Sequence, residues 1–468
     1  MKRGFRQSLA VLAGLSLVLT AAGCGNAGNG GDGNANTSEK PANANAAQNQ
    51  GEKEKTKLVY WTYQRHDAEY IKQKIQQFNE TNEANIEVEM TMMAENYPQS
   101  LDLAFTSDQA PDVFATQRPA EFYAKGYFEP LNGYLTDELK SKFGSFLREG
   151  SNKFEDNVIS LPNVGNTIRL VYNVDMFEKA GLQPPKSLDE MVAAAKKITE
   201  IGKPDGIYGW SLPYKSPSSA LDRSAAKIAE MNGFHRSGFD FKTAKYDFSG
   251  WKPIIEAFRQ MSADGSVLPG SESLDMDPMR AQFAEGKIGM YISYSTEAGV
   301  YNTQFPPKIR WDATLVPTID GGEAKGAIDP AASAWLSMSS ESKHKEAAWT
   351  FMSYMYQDEI MRGYHESGLG ISVLPHILEG AKEPSTPGIQ NFLPTEYDAA
   401  WPVEPQGIVP EGKTWQEQFT RYILGGGNLD ETIGELNASY NAALDKAVAG
   451  GAVTVTPDPS FDPAALRK

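Results

Sequence analysis

The sequence predicts an α/β protein built as two lobes, and three observations carry this. The chain has 468 residues, more than one ordinary hydrophobic core accommodates. Residues 58–116 alternate strand and helix patterns in the order β-α-β-α-β, which predicts a parallel sheet. Residues 167–198 repeat the alternation in mid-chain as a strand, a break at Gly181 and Pro184-Pro185, and an amphipathic helix.

The elements follow in order. Residues 58–62 (LVYWT) read as the first strand, and the polar loop 63–67 lies at its carboxyl end, where open α/β sheets bind ligands. Tyr70, Ile71, Lys74, Ile75 and Phe78 mark a helix. Residues 85–92 alternate as a second strand, 101–107 are helical, and 110–116 (APDVFAT) form a third strand. In the central strand Ile168, Leu170 and Tyr172 share one face, while Thr167, Arg169 and Val171 make a more polar one. Ser187 is an N-cap, with Glu190 completing an S-x-x-E capping box. Leu188, Met191, Val192, Ala195 and Ile198 form the buried face of that helix. Residues 206–214 place Trp210 and Tyr214 in a loop after a strand.

Charge and termini narrow the function classes. The net charge is −16. Residues 1–23 contain Lys2, Arg3 and Arg6 and no acid, so cleavage there leaves 41 basic against 60 acidic residues, or −19. That argues against nucleic acid and anionic lipid as partners. Residues 1–23 read as an export signal, with a positive start and a short apolar run from Leu9 to Leu19. Ala21, Ala22 and Gly23 then precede Cys24, the single cysteine. This resembles a lipoprotein signal in which a diacyl-modified Cys24 supplies the two chains that stable anchoring takes. The expected location is therefore extracytoplasmic, anchored to the cell membrane. Residues 25–57, rich in Gly, Asn, Ala and Gln, cannot bury a core and read as a disordered tether spanning roughly 30 Å.

Two catalytic and metal signatures are missing: there is no G-x-S-x-G and no H-E-x-x-H. His66, His235, His344, His365 and His376 are dispersed, and no metal or cofactor is expected. Aromatic residues are plentiful, with 8 Trp, 20 Tyr and 21 Phe. Their faces suit the apolar faces of sugar rings. Those placed at strand ends are Trp210, Tyr214, Trp335 and Trp415, while Trp61 and Trp349 are assigned to core.

Residues 172–190 (YNVDMFEKAGLQPPKSLDE) match the pattern YN-x-D-x-F-x-K-A-G…P-x-T/S-x-x-E. That pattern, the F-x-x-G-K stretch beginning at Phe283 and the S-K-H-K-E-A-A-W-x-F helix beginning at Ser342 resemble extracellular solute-binding proteins of ABC importers. The family is typified by maltose-binding protein, and the resemblance covers about residues 58–450. It implies a two-lobe periplasmic-binding-protein-like fold, a mainly parallel sheet in each discontinuous lobe, and a hinge. It divides the chain as 58–165 plus 317–367 in one lobe and 166–316 plus 368–468 in the other.

The resemblance also implies the ligand contacts. These are Tyr63, Gln64 and Arg65 after the first strand, Gln117 and Arg118 after the third, then Asn166, the stacking Tyr214, Tyr294 and Ser295. Thr296 stands where the family often has a sugar-stacking Trp. Arg65, Arg118 and Arg169 suit a carboxylate or sulfate, or pair with internal acids. The implied function is capture of a mono- or oligosaccharide for ABC permease subunits, without catalysis. The alternatives are a surface-anchored carbohydrate-processing enzyme, since two carboxylates suffice for glycoside hydrolysis, and a ligand-sensing component.

Overall fold

The computed structural model describes residues 55–93, 95–330, 332–372, 374–386 and 388–467. The export signal, Cys24 and the tether up to residue 54 lie outside the described residues.

Two four-stranded sheets organise the fold. In the first, Thr56–Thr62 pairs in parallel with Ile86–Met92 (Leu58 opposite Val88) and with Val113–Ala115 (Tyr60 opposite Val113). Helices Ala68–Thr81 and Tyr97–Thr106 make the crossovers, so the β-α-β-α-β expectation holds. A fourth strand, Leu336–Met338, joins antiparallel beside Val113–Ala115. The core of this lobe gathers Leu58, Tyr60, Val88 and Val113 from the sheet, and Phe351, Met352 and Tyr364 from later helices. Leu369, Leu374 and Ile377 also pack into it.

The second sheet has the order Trp311–Thr314, Ile168–Asn173, Ile288–Tyr294, Tyr208–Trp210. Here the expectation of a mainly parallel sheet needs correcting. Ile168–Asn173 is antiparallel to both neighbours, and only Ile288–Tyr294 with Tyr208–Trp210 is parallel. The reason is the route into it. Ile168–Asn173 is entered from the strand Pro162–Gly165, with no helix between them, so the crossover geometry that forces parallel neighbours does not apply.

The same strand is buried on both faces. Ile168 and Leu170 enter the large core with Met191 and Ile198, while Val171 packs with Met279, Phe283 and Tyr291. The face expected to be polar is thus largely interior, and Arg169 is only 1% exposed. Helix Leu188–Gly202 begins as expected, with the Ser187 hydroxyl accepting from the Glu190 N–H at 3.1 Å. The box is modified, because the Glu190 carboxylate accepts from the Lys186 N–H at 2.7 Å. The helix packs tightly on the sheet at Gly209, where a Cβ would lie 2.0 Å from the Ala195 carbonyl oxygen.

Candidate functional site

The site is built from loops at the ends of strands of both sheets. In the loop after Thr56–Thr62, Tyr63 reaches the Thr116 carbonyl at 3.4 Å, which ties this loop to the one after Val113–Ala115. Burial pushes the Tyr63 hydroxyl up to about 12. The Gln64 N–H donates to the Thr62 hydroxyl at 3.1 Å. Beside it, Tyr364 donates to Asp67 at 2.8 Å and meets His66 at 3.1 Å. Burial raises the Asp67 carboxyl above its ordinary range, against the opposing pull of His66 and Tyr364.

A second pair of loops lies at the strand ends of the other sheet. The Ser295 N–H donates to the Thr167 carbonyl at 2.9 Å, so Asn166 and Ser295 stand on adjoining backbones. Ser295 directly follows Ile288–Tyr294. Five buried polar atoms in these loops have no hydrogen-bond partner: Gln64 Oε1, Asp67 Oδ1, Gln117 Oε1, Asn166 Oδ1 and Ser295 Oγ. A buried polar group without a partner is costly unless a ligand or water satisfies it.

Ion pairs join the two loop sets. Arg65 Nη1 meets Asp277 Oδ2 at 3.0 Å, and Asp277 meets Arg280 at 3.0 Å. Arg280 grips Glu297 through Nε and Nη2, at 2.9 Å and 2.8 Å. Burial opposes ionisation of Glu297, but Arg280 outweighs it and holds the carboxyl below its usual range. Asp277, Arg280 and Glu297 were missed by sequence reasoning. The i,i+3 spacing of Asp277 and Arg280 is a legible helix-face signal, but the pairing with Glu297 depends on the fold.

The expected site residues divide into two groups. Tyr63, Gln64, Arg65, Gln117, Asn166, Tyr294 and Ser295 are brought to these loops. Arg118, exposed and with φ 46°, turns to Glu121 at 3.3 Å. The four strand-end aromatics sit inside hydrophobic cores. Trp210 ends a strand rather than lying in a loop, and packs on Phe258 at 5.4 Å. Tyr214 is 3% exposed, with its hydroxyl near the Trp210 indole. Trp335 packs edge-on against Tyr356 at 5.3 Å, and Trp415, at the start of a helix, packs on Trp251 at 4.9 Å. The sequence signal was ambiguous because a strand-end aromatic serves a core as readily as a pocket. Arg65 and Arg169 pair with internal acids.

Among the described residues no group of three or more His, Cys, Asp or Glu is placed to hold a metal, and no helix is long and apolar enough to cross a membrane.

Comparison with known proteins identifies the family. Residues 64–362 match the bacterial extracellular solute-binding proteins, and the chain belongs to that family. A binding protein of Brucella abortus is 26% identical over 266 residues, covering 55% of this chain and 61% of that protein. A maltotriose-binding protein of Pyrococcus abyssi is 24% identical over 299 residues, covering 63% of this chain and 61% of that one. The chain thus spans about three fifths of the length of these relatives. The solved ABC substrate-binding protein Lmo0181 of Listeria monocytogenes, in complex with cycloalternan, shares the fold. Its TM-score is 0.65 at 17% identity, over 84% of this chain and 100% of that one.

Proposed function

We propose that this protein captures a carbohydrate between its two lobes and delivers it to an ABC importer, held at the cell membrane by a lipidated Cys24. The observation that carries this is the set of buried, unpartnered polar atoms at Gln64, Gln117, Asn166 and Ser295. Amides and a hydroxyl both give and accept hydrogen bonds, which is what several sugar hydroxyls require. The neighbouring names agree: a maltotriose-binding protein and a protein solved with cycloalternan.

Capture is coupled to closure. The chain passes between the lobes near Asn166, between Ile328 and Trp335, and between Ile377 and Ile389, and these segments form the hinge. Ligand stabilises the closed state by its differential affinity, and that state docks on the permease or on a sensor.

A thermal-shift screen of the mature protein against a glycan panel tests the reading, because a ligand of the native state raises apparent stability. Binding with every glycan recovered intact is the expected result. Release of shorter products would make the protein a carbohydrate-processing enzyme instead.

A further inference from the structure

The unpartnered amides suit neutral hydroxyls, but one residue beside Tyr294 has a different character. Arg223 is partly buried, with its guanidinium 5.0 Å from the centroid of the Tyr294 ring. Its Nε donates to the Ser219 carbonyl, Nη2 to the Ser219 hydroxyl at 3.0 Å and Nη1 to the Ser293 hydroxyl at 3.2 Å. A guanidinium has five N–H donors, so one remains on each terminal nitrogen. Two donors on a planar fork match a carboxylate or phosphate.

Several other buried and half-buried arginines are neutralised, whereas Arg259 and Arg362 spend their donors on backbone carbonyls. Arg148 and Arg236 meet Asp329, Arg169 meets Asp398 and Arg280 meets Glu297, each within 4.0 Å. Among the described residues Arg223 meets no carboxylate at that distance. Glu297 is committed to Arg280 and accepts the Ser293 hydroxyl at 2.6 Å, so Arg223 reaches it only through Ser293. Asp222 turns to Gln416 at 2.9 Å. The connected path Arg65–Asp277–Arg280–Glu297–Ser293–Arg223 contains three guanidiniums and two carboxylates. Glu95, 3.8 Å from Arg65, is 86% exposed and screened by water. Burial pulls the Arg223 guanidinium below its ordinary range, as expected of a desolvated and incompletely paired cation.

Resting on the carbohydrate-binding reading above, we infer that the ligand carries an anionic group, a carboxylate or a phosphate ester, and that Arg223 on its Tyr294 platform pairs with that group. The Tyr294 ring beside the guanidinium restrains where the fork presents its donors.

Matched probes test this on the full mature chain. Oligosaccharides from polygalacturonate and glucuronoxylan are compared with the same mixtures after reduction of their carboxyl groups to alcohols. Sugar phosphates are compared before and after phosphatase treatment. The acidic member of a pair is expected to bind at least tenfold tighter than its neutral counterpart, with a preference that shrinks as salt rises. Whether uronates or sugar phosphates show the preference decides the source of the charge. Arg223→Gln should bring the acidic-over-neutral preference close to one, and Arg223→Lys should retain part of it. The lysine variant keeps the comparison available if the glutamine variant melts early. Equal or tighter binding of the neutral probes, or equal loss of both in the variants, overturns the assignment and leaves carbohydrate capture standing. Failure of every saccharide, acidic and neutral, would instead overturn carbohydrate capture itself.

Discussion

Arg169 and Asp398 are 229 residues apart in sequence and form a two-pronged ion pair, Nη1 to Oδ1 at 2.9 Å and Nη2 to Oδ2 at 2.7 Å. Their side chains are 1% and 0% exposed. Arg169 also donates to the carbonyls of Asn391 and Leu393, and Asp398 accepts from the Thr395 N–H. The pair therefore clamps residues 391–398 onto the strand Ile168–Asn173. Its net worth is small, but removing one partner strands a buried charge. Arg169→Met and Asp398→Asn should each lower stability by about 3–5 kcal/mol, read from urea unfolding. A loss below about 1 kcal/mol would show that the region relaxes to readmit water.

Gly209 is required by close approach rather than by backbone angle. A methyl group there meets the Ala195 backbone, and the helix Leu188–Gly202 must move to admit it. Gly209→Ala should destabilise by at least 1–3 kcal/mol, the usual cost of overpacking. An unchanged melting temperature would mean that the contact is looser than described.

Trp335 and Tyr294 separate core from site. Trp335 is 2% exposed among Tyr356 and Tyr364, so Trp335→Ala should cost about 3–5 kcal/mol of unliganded stability. Tyr294 is only partly buried, so Tyr294→Ala should instead weaken ligand binding with little change in melting. The reverse pattern would exchange the two roles.

Cys24 lies outside the described residues, but its position after the signal-like segment makes a clear demand. Cys24→Ser should release the protein into the medium or leave it unprocessed, with an unchanged circular dichroism spectrum. Fractionation that still finds it processed and membrane-bound would remove the lipid anchor from the proposal.

Closure predicts a smaller radius of gyration with ligand. Small-angle scattering is the direct measure, made with residues 25–54 deleted so that their motion does not mask the change. Arg65→Ala should favour opening only slightly, because a partly exposed pair such as Arg65–Asp277 contributes about 0.2–1 kcal/mol. An identical radius in both states would count against a hinge and favour a preformed cleft.

Much of the fold was legible because its signals are local. The strand at 58–62, the helix signature from Tyr70 to Phe78 and the Ser187 cap depend on residues within a turn or two of one another, where periodicity and capping act. The loops carrying Tyr63, Gln64 and Gln117 were legible too, since a polar segment at the carboxyl end of a strand is marked by the strand itself, whereas Asn166, ahead of the strand expected at 167–172, came from the family resemblance alone. The direction of Ile168–Asn173 in its sheet was not legible, nor was the burial of Trp210 and Trp415. Both depend on partners more than 30 residues away. The same holds for charge: by itself the sequence supplied three candidate arginines at 65, 118 and 169, each able to face a ligand or an acid. Only the tertiary structure paired Arg65 with Asp277 and buried Arg169 on Asp398. It also left Arg223, which no local pattern distinguishes, without a carboxylate, because charge compensation is a property of the chain's path through space.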